Sequence, residues 1–262
     1  MLSWRSGKQL TITVILATPF VALSLFVLWW FLPEASCSDK RQNQGELGID
    51  CGGPCASCAL VYPRPIVPYW ARAVPVRPNL VDAAAEIENP NELLSSRRVE
   101  YEFTLSDQFG SIAKRGGWTF LYPQERFIVV ESGIEVTRKP TRVDFKIINA
   151  EWHLQNDPKP VIAVEQRAYR VEETEGRRIF AVNMTLRNDT AFDFAEVEVG
   201  IALLDANENL VGANRILAEN LFSGQRREMK SIWPYELTGE VDVIFIDPRV
   251  NIFDPSLRLP PR

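Results

Sequence analysis

The segment that decides the fold class reads VEYEFTLSD and covers residues 99–107. Its first seven residues alternate between apolar and polar side chains. This pattern predicts a half-buried β-strand, because successive strand residues point to opposite faces of a sheet. The residues DQFG at 107–110 are turn-forming types, so we expect the chain to reverse direction there.

Similar short runs occur along the rest of the chain, while helical periodicity is nearly absent beyond residue 80. Further strands are predicted at residues 117–122, 126–130 and 143–152, and a second set at 161–171, 179–186, 195–204, 210–217, 226–232 and 241–253. Short strands at regular spacing, separated by turns, are typical of a β-sandwich or barrel. The chain is therefore predicted to be mainly β.

The two sets of strands resemble each other in order. AEIENP at residues 85–90 corresponds to MTLRND at 184–189, which aligns Asn89 with Asn188. The further matches are FTLSD at 103–107 with IALLD at 201–205, and LYPQ at 121–124 with LFSGQ at 221–225. An ordered series of matches indicates a tandem repeat of one fold unit.

Both copies resemble the bacterial immunoglobulin-like domains that are named for a Phe-x-Leu-Tyr-Asp signature. The first copy has Phe103, Leu105 and Asp107, with Ser106 at the tyrosine position. The second copy has Ile201, Leu203, Leu204 and Asp205 at the same positions. The resemblance covers about residues 79–152 and 160–254. It implies two seven-stranded sandwiches with a structural or binding role.

Neither copy contains cysteine, so the inter-sheet disulfide of antibody domains is missing and packing alone must hold each core. The side chains expected in these cores are Tyr101, Phe103, Trp118, Val199, Leu203 and Trp233.

All four cysteines lie in residues 37–58, which read CSDKRQNQGELGIDCGGPCASC. Two disulfides among Cys37, Cys51, Cys55 and Cys58 are predicted, because a short loop without its own core needs cross-links. Three pairings are possible and the sequence does not choose among them. Zinc held by four thiolates and a redox pair at residues 55–58 are the alternatives.

Four oxygen-bearing side chains are interleaved with these cysteines: Asp39, Asn43, Glu46 and Asp50. Calcium binds about six to eight oxygen ligands, so these residues form a candidate calcium site, mostly in addition to the disulfides. The segment also resembles a Cys-rich motif of bacterial surface proteins, C-x-D-x3-N-x2-E-x3-D-C-G-G-x-C-x2-C. This resemblance implies a bacterial, extracytoplasmic protein and names no activity.

Residues 10–32 read LTITVILATPFVALSLFVLWWFL and contain no charge. As a helix they would be about 34 Å long, enough for a hydrocarbon core of about 30 Å. A transmembrane helix is therefore predicted, with a cleaved signal peptide or a lipoprotein signal as alternatives. The cysteines belong on an oxidising side. The predicted location is thus the plasma membrane, single-pass, with residues 1–9 cytoplasmic and the C-terminal domains extracytoplasmic.

The remaining boundaries follow from composition. Residues 33–58 form the Cys-rich segment, and residues 59–78, which hold five prolines, form a linker or an irregular edge strand. We predict that residues 79–156 form the first sandwich, that residues 157–255 form the second, and that residues 256–262 are a C-terminal tail.

Charge and chemistry point away from nucleic acid and from catalysis. The net charge is −5, with acids and bases interleaved, so no basic face is expected to bind nucleic acid. His153 is the only histidine. The acid pairs Glu100/Glu102 and Glu196/Glu198 are two residues apart, as on a solvated sheet face. No catalytic residue and no cofactor besides calcium is predicted.

The predicted function is a non-enzymatic, membrane-anchored extracytoplasmic scaffold or adhesion protein that presents two immunoglobulin-like domains. Its expected partners are the lipid bilayer, through residues 10–32, and a protein of unknown identity that could add a strand to a sandwich edge. Two alternatives are an accessory subunit of a cell-envelope assembly, such as secretion, pilus or transport machinery, and a calcium-dependent surface sensor.

Overall fold

The computed structural model describes residues 4–31, 36–155, 158–174 and 177–259. Two compact units make up the chain, Met1–Val61 and Tyr62–Arg262. The helices are α1 (Trp4–Phe31), α2 (Cys58–Val61) and the 3-10 helix η1 (Pro255–Leu257). The strands are β1 (Val67–Arg77), β2 (Leu80–Glu88), β3 (Leu94–Asp107), β4 (Gly110–Leu121), β5 (Arg126–Glu135), β6 (Arg142–Leu154), β7 (Ile162–Thr174), β8 (Arg177–Asn188), β9 (Phe194–Leu204), β10 (Leu210–Leu221), β11 (Arg226–Trp233) and β12 (Val243–Arg249).

The N-terminal helix α1 contains Pro19. Within the described ranges, no helix combines the length and the apolar character that crossing a bilayer requires. The predicted single-pass plasma-membrane location is therefore wrong. The expected lipid contact of residues 10–32 rested on that span, and Leu32 lies outside the described residues.

The second unit consists of four three-stranded antiparallel sheets, so the prediction of a mainly β chain is confirmed. We call β1–β6 the first half and β7–β12, with the C-terminal residues to 259, the second half. The strand orders are β1-β2-β5 and β4-β3-β6 in the first half, and β7-β8-β11 and β10-β9-β12 in the second. Both halves thus use the same order of strands, which agrees with the repeat seen in the sequence. The predicted boundary at residues 156 and 157 and the tail residues 260–262 lie outside the described ranges.

Each half has its own core, to which both of its sheets contribute, an arrangement consistent with a β-sandwich. In the first half, Ala85 and Ile87 of β2 face Tyr101 and Phe103 of β3. In the second half, Val182 and Leu186 of β8 belong to the same cluster as Val199 and Leu203 of β9. Alternate residues of each inner strand supply these cores, as period-two patterning requires.

A third apolar cluster joins the two halves. Ala84 of β2 and Ile128 of β5 belong to it from the first half, and Ala202 and Ala213 from the second. A Cβ atom on Gly200 would lie 3.3 Å from the carbonyl oxygen of Ile128. The sheets β1-β2-β5 and β10-β9-β12 therefore pack closely through small residues. Consequently β2 and β9 have buried residues on both faces.

The aligned asparagines have the same role in both halves. Nδ2 of Asn89 donates to the carbonyls of Leu94 and Tyr122, at 2.7 Å each. Nδ2 of Asn188 likewise donates to two carbonyls, including that of Leu221 at 3.1 Å. Both side chains are fully buried and join the loop after one strand to the end of another. The sequence match therefore has a hydrogen-bonding explanation.

Most of the proline-rich segment forms an edge strand. β1 pairs with β2, and its register is irregular next to Pro68 and Pro75. Proline has no backbone N–H, so it is tolerated at sheet edges and bulges. Residues 59–78 were interpreted either as a linker or as an irregular edge strand. The second interpretation is correct for residues 67–77.

Candidate functional site

The Cys-rich segment contains two disulfides, which confirms the predicted cross-links. They join Cys37 to Cys55 and Cys51 to Cys58. This selects one of the three pairings that the sequence left open. Because all four sulfurs are in disulfides, they provide neither thiolate ligands for zinc nor a reduced redox pair in this state.

The four predicted calcium ligands are hydrogen-bonded within the segment. Both carboxylate oxygens of Asp50 accept from the backbone N–H of Lys40, at 3.0 and 3.1 Å. Oε2 of the buried Glu46 accepts from the backbone of Asn43 and Asp50. Oδ2 of Asp39 accepts from Nδ2 of Asn43 at 2.8 Å, and this bond holds the pKa of Asp39 below its usual value. These oxygens thus stabilise the turns of the loop.

In the part of the chain that the structure describes, one group of three potential metal-ligating residues has its donor atoms within 4.8 Å of one another. It consists of Cys37, Glu46 and Cys55. Its two cysteines form one disulfide, so Glu46 is the one charged donor in the group. Asp39 and Asp50 do not join it, and the calcium site stays a prediction.

The single histidine, His153, lies on β6 opposite Ser95 of β3. Its Nε2 atom is buried and has no hydrogen-bond partner among the described residues. Oγ of Ser95 contacts the carbonyl oxygen of His153 at 3.5 Å and does not reach the imidazole. This placement provides no nucleophile–base pair of the kind that hydrolases use.

The site that the structure assembles is a groove of about 670 Å³ where the two halves meet; we call it the junction groove. Its wall is formed by residues 115–120 of β4. Its floor consists of Glu196 and Glu198 of β9 and Arg215 and Leu217 of β10, and the C-terminal segment adds Asn251, Asp254 and Leu257. The floor residues share one face of their sheet with Gly200 and Ala202, which are packed against the first half.

The wall of the junction groove is an edge strand. β4 ends its sheet, and its one strand partner among the described strands is β3. On its other side no described strand pairs with β4, so the backbone of residues 115–118 is open to a further strand, while the carbonyl oxygen of Phe120 already accepts from Arg249. Trp118 was predicted to be a core residue, but its side chain is 51% exposed. The prediction was wrong because Trp118 pairs with Glu100, whereas the core residues Val99 and Tyr101 pair with Thr119 and Gly117.

A buried carboxylate lies behind this wall. Glu131 of β5 accepts from Oη of Tyr101 and from Nε of Arg115, at 2.9 Å in each case. Burial raises the pKa of the Tyr101 phenol, and the neighbouring charge of Glu131 raises it further. A Cβ atom on Gly117 would overlap Oε1 of Glu131, so glycine leaves the space that this carboxylate occupies.

A buried ion pair lies at the base of the groove and joins the two halves. The guanidinium of Arg249, 2% exposed, donates to both carboxylate oxygens of Glu125 at 3.0 Å. It also lies over the rings of Phe120 and Phe127, at 4.1 and 3.5 Å from their centroids. Lys159 Nζ contacts Glu125 at 2.7 Å. Burial alone would raise the pKa of Glu125, but the charges and hydrogen bonds of Arg249 and Lys159 together outweigh burial, so the pKa is lowered.

Two features of this groove were visible in the sequence alone, but neither was interpreted as part of a binding site. Gly116-Gly117 and the acid pair Glu196/Glu198 are both present in its lining. The acid pair was explained as a solvated sheet face, and the two glycines were assigned no role. Their proximity depends on how the halves pack, which no local pattern encodes.

Comparison with known proteins gives no relative on which to base a function. No family model matches the chain, and no curated protein matches it. The resemblances of its motifs to immunoglobulin-like domains and to Cys-rich surface segments therefore stay predictions.

Proposed function

We propose that this chain is a non-enzymatic binding scaffold, built from two immunoglobulin-like sandwiches, that holds an extended segment of another protein in the junction groove. The observation that carries the proposal is the position of β4. It is an edge strand, and six consecutive residues of it, 115–120, line the groove. An extended peptide can add to such an edge as a further strand, with main-chain hydrogen bonds supplying affinity.

The character of the lining supports a polypeptide ligand. Small-molecule pockets are mostly apolar with few polar groups. Here charged side chains from both halves dominate, among them Arg115, Glu131, Glu198 and Arg215, beside the exposed ring of Trp118. Tryptophan and arginine are enriched where proteins bind one another.

The groove is also held in shape before any partner binds. The Arg249–Glu125 pair fixes its base, and the apolar cluster around Ala84 and Ala202 fixes the distance between the halves. A preformed site loses less conformational entropy on binding, which favours affinity.

Peptides selected from a display library of unbiased sequence would test the proposal. Selected peptides should protect the backbone amides of residues 115–119 from hydrogen exchange, and Trp118→Ala should weaken their binding about ten-fold or more. Ile148→Ala is the matched control, because Ile148 is an exposed apolar residue on β6, in the same sheet but outside the groove. A library that yields no binder, or binders that leave the β4 amides unprotected, would refute strand addition at this edge.

A further inference from the structure

We infer that the segment held in the junction groove is basic and carries lysine or arginine side chains that pair with Glu196 and Glu198. This inference rests on the proposed function and names the chemistry of its partner. It is carried by the charges that remain available in the groove.

The lining of the groove has more negative than accessible positive side chains. Four carboxylates line the groove, those of Glu131, Glu196, Glu198 and Asp254. Two guanidinium groups in the lining are accessible to solvent, those of Arg115 and Arg215. The guanidinium of Arg249 also lies in the lining but is buried against Glu125, so a ligand meets little of its charge.

Two of the carboxylates are already occupied. Glu131 bonds to Arg115 and Tyr101, and Asp254 accepts from the backbone and hydroxyl of Ser256. Glu198 reaches Arg215 only at 3.8 Å, beyond hydrogen-bond distance. Glu196 takes part in no ion pair among the described residues. Other charged side chains of these sheets form many such pairs. Glu196 and Glu198 are thus the two carboxylates of the lining for which no hydrogen bond is found among the described residues, and they are the main acceptors left for a ligand.

The spacing of these two residues suits an extended chain. They lie two positions apart on β9 and share one face of the strand. Alternate residues of a β-strand are about 6.6 Å apart, so two basic side chains two positions apart in a peptide have matching spacing. Leu217 pairs with Glu198 across β9 and β10 and is 48% exposed. It offers an apolar surface to the hydrocarbon stem of a lysine or arginine.

Trp118, in the wall of the groove, is in contact with a cation of the chain itself. The guanidinium of Arg98 already lies over its ring, 5.5 Å from the centroid. Tryptophan is the aromatic side chain that attracts cations most strongly. Arg98 and Arg115 thus place positive charge at the wall, so the floor with Glu196 and Glu198 is the part of the groove that favours positive charge in the bound segment.

Labelled peptides with the length of β4, 12 residues, test this inference on the full chain by fluorescence anisotropy. Three peptides alternate valine with lysine, with glutamate or with serine. The lysine peptide should bind about ten-fold tighter than the glutamate peptide, because two surface ion pairs form with the lysine peptide and none with the glutamate peptide. This preference should shrink when about 0.5 M salt screens the charges.

The double variant Glu196→Gln with Glu198→Gln should lower affinity for the lysine peptide about ten-fold and leave the serine peptide unchanged. Glu100→Gln with Glu102→Gln is the matched control. These two glutamates have the same spacing on β3 but are not part of the groove lining. The control pair should leave the preference for lysine intact.

The outcomes separate this inference from the proposed function. Equal binding of lysine and glutamate peptides, or a preference that survives the double variant, overturns the basic ligand while peptide binding stands. Failure of all three peptides, together with a library that yields no binder, overturns the proposed function itself. If sedimentation instead reveals dimers that Trp118→Arg abolishes, a second copy of the chain occupies the groove through β4. This result would also overturn the inference.

Discussion

Gly116 and Gly117 are neighbours on β4, yet the two positions have different surroundings. A Cβ atom on Gly116 would have its nearest neighbour at 3.6 Å, an ordinary contact with the carbonyl oxygen of Tyr101. On Gly117 the same atom would lie 2.5 Å from Oη of Tyr101 and would overlap Glu131. The difference follows from strand alternation, which points position 117 inward and position 116 outward.

Gly117→Ala is therefore expected to lower the free energy of unfolding by about 1–3 kcal/mol, because the added methyl group displaces Glu131 from Tyr101. Urea-induced unfolding measures the effect. Gly116→Ala is the control and should leave stability unchanged or raise it by up to about 1 kcal/mol, since alanine restricts the unfolded chain. Equal losses in both variants would contradict this account.

Asp247 is a second residue with an unusual environment. Its Oδ2 atom is buried without a hydrogen-bond partner, and burial raises its pKa. The charged groups that act on it are Lys159 and Arg249, which lower the pKa, and Glu125 and Glu198, which raise it. Because the folded pKa exceeds the unfolded one, the ionised carboxylate destabilises the fold. This penalty is absent below the unfolded pKa of about 3.8 and grows as pH rises through the folded value.

Asp247→Asn should accordingly stabilise the chain at neutral pH, and the gain should vanish below about pH 3.8. Unfolding by urea at a series of pH values tests both statements. Asp144→Asn is a suitable control, because Asp144 pairs with Arg142 on the surface of β6. A constant gain at every pH would show that the effect is not due to ionisation.

At the scale of elements, the strands differ in how many faces they bury. β2 and β9 are buried on both faces, because each lies at the centre of a sheet that packs on a core on one side and on the other half on its opposite side. β4 lies at a sheet edge and keeps exposed residues along most of its length. The difference in position explains why one side of β4 pairs with no described strand, as the proposed strand addition requires.

The Cys-rich segment is a different kind of element, since disulfides and loop hydrogen bonds hold it. Reduction should make residues 36–61 sensitive to protease, because small segments that depend on disulfides lose about 2–5 kcal/mol without them. The unfolding midpoint of the β unit Tyr62–Arg262 should not change, because that unit contains no cysteine. Limited proteolysis and calorimetry, with alkylation but no reduction as the control, check both outcomes. A lowered midpoint would contradict the independence of the β unit.

At the scale of the whole β unit, four sheets form one body because the halves share a core and a buried ion pair. Arg249 of β12 reaches Glu125, Thr119 and the carbonyl of Phe120 in the first half. Such a charge is expensive to bury and is retained only with its partner. The pair therefore couples the folding of the two halves.

Arg249→Met should lower the free energy of unfolding by about 3–5 kcal/mol, because Glu125 would lose its bidentate partner while staying buried. Adding Glu125→Gln should recover part of the loss, with a coupling energy of about 0.5–3 kcal/mol. Arg142→Met removes an exposed pair instead and should cost less than about 1 kcal/mol. Guanidinium unfolding of Arg249→Met, Glu125→Gln, their double variant and Arg142→Met gives these values, and strictly additive losses in the first three would rule out the coupling.

Local patterns in the sequence determined the mainly β class, the positions of most strands, the existence of an ordered repeat and the presence of disulfides, whereas the six strands of each half differ from the seven that the resemblance implied. These features depend on the alternation of side chains, on turn residues and on cysteine spacing, which act over a few residues. The alignment of Asn89 with Asn188 was visible because the same local loop occurs twice. Buried core residues such as Phe103 and Trp233 followed from the same patterns.

Only the tertiary structure decided the disulfide pairing, the joining of the halves and the position of Trp118. Each depends on which residues the fold brings into contact, and the joining of the halves depends on residues far apart in the chain, such as Arg249 with Glu125. The predicted membrane span shows the same limit, since its uncharged composition suggested a crossing that the helix does not support. The junction groove exists because two sheets meet at Ala202 and diverge at Glu196, and packing rather than local sequence sets that geometry.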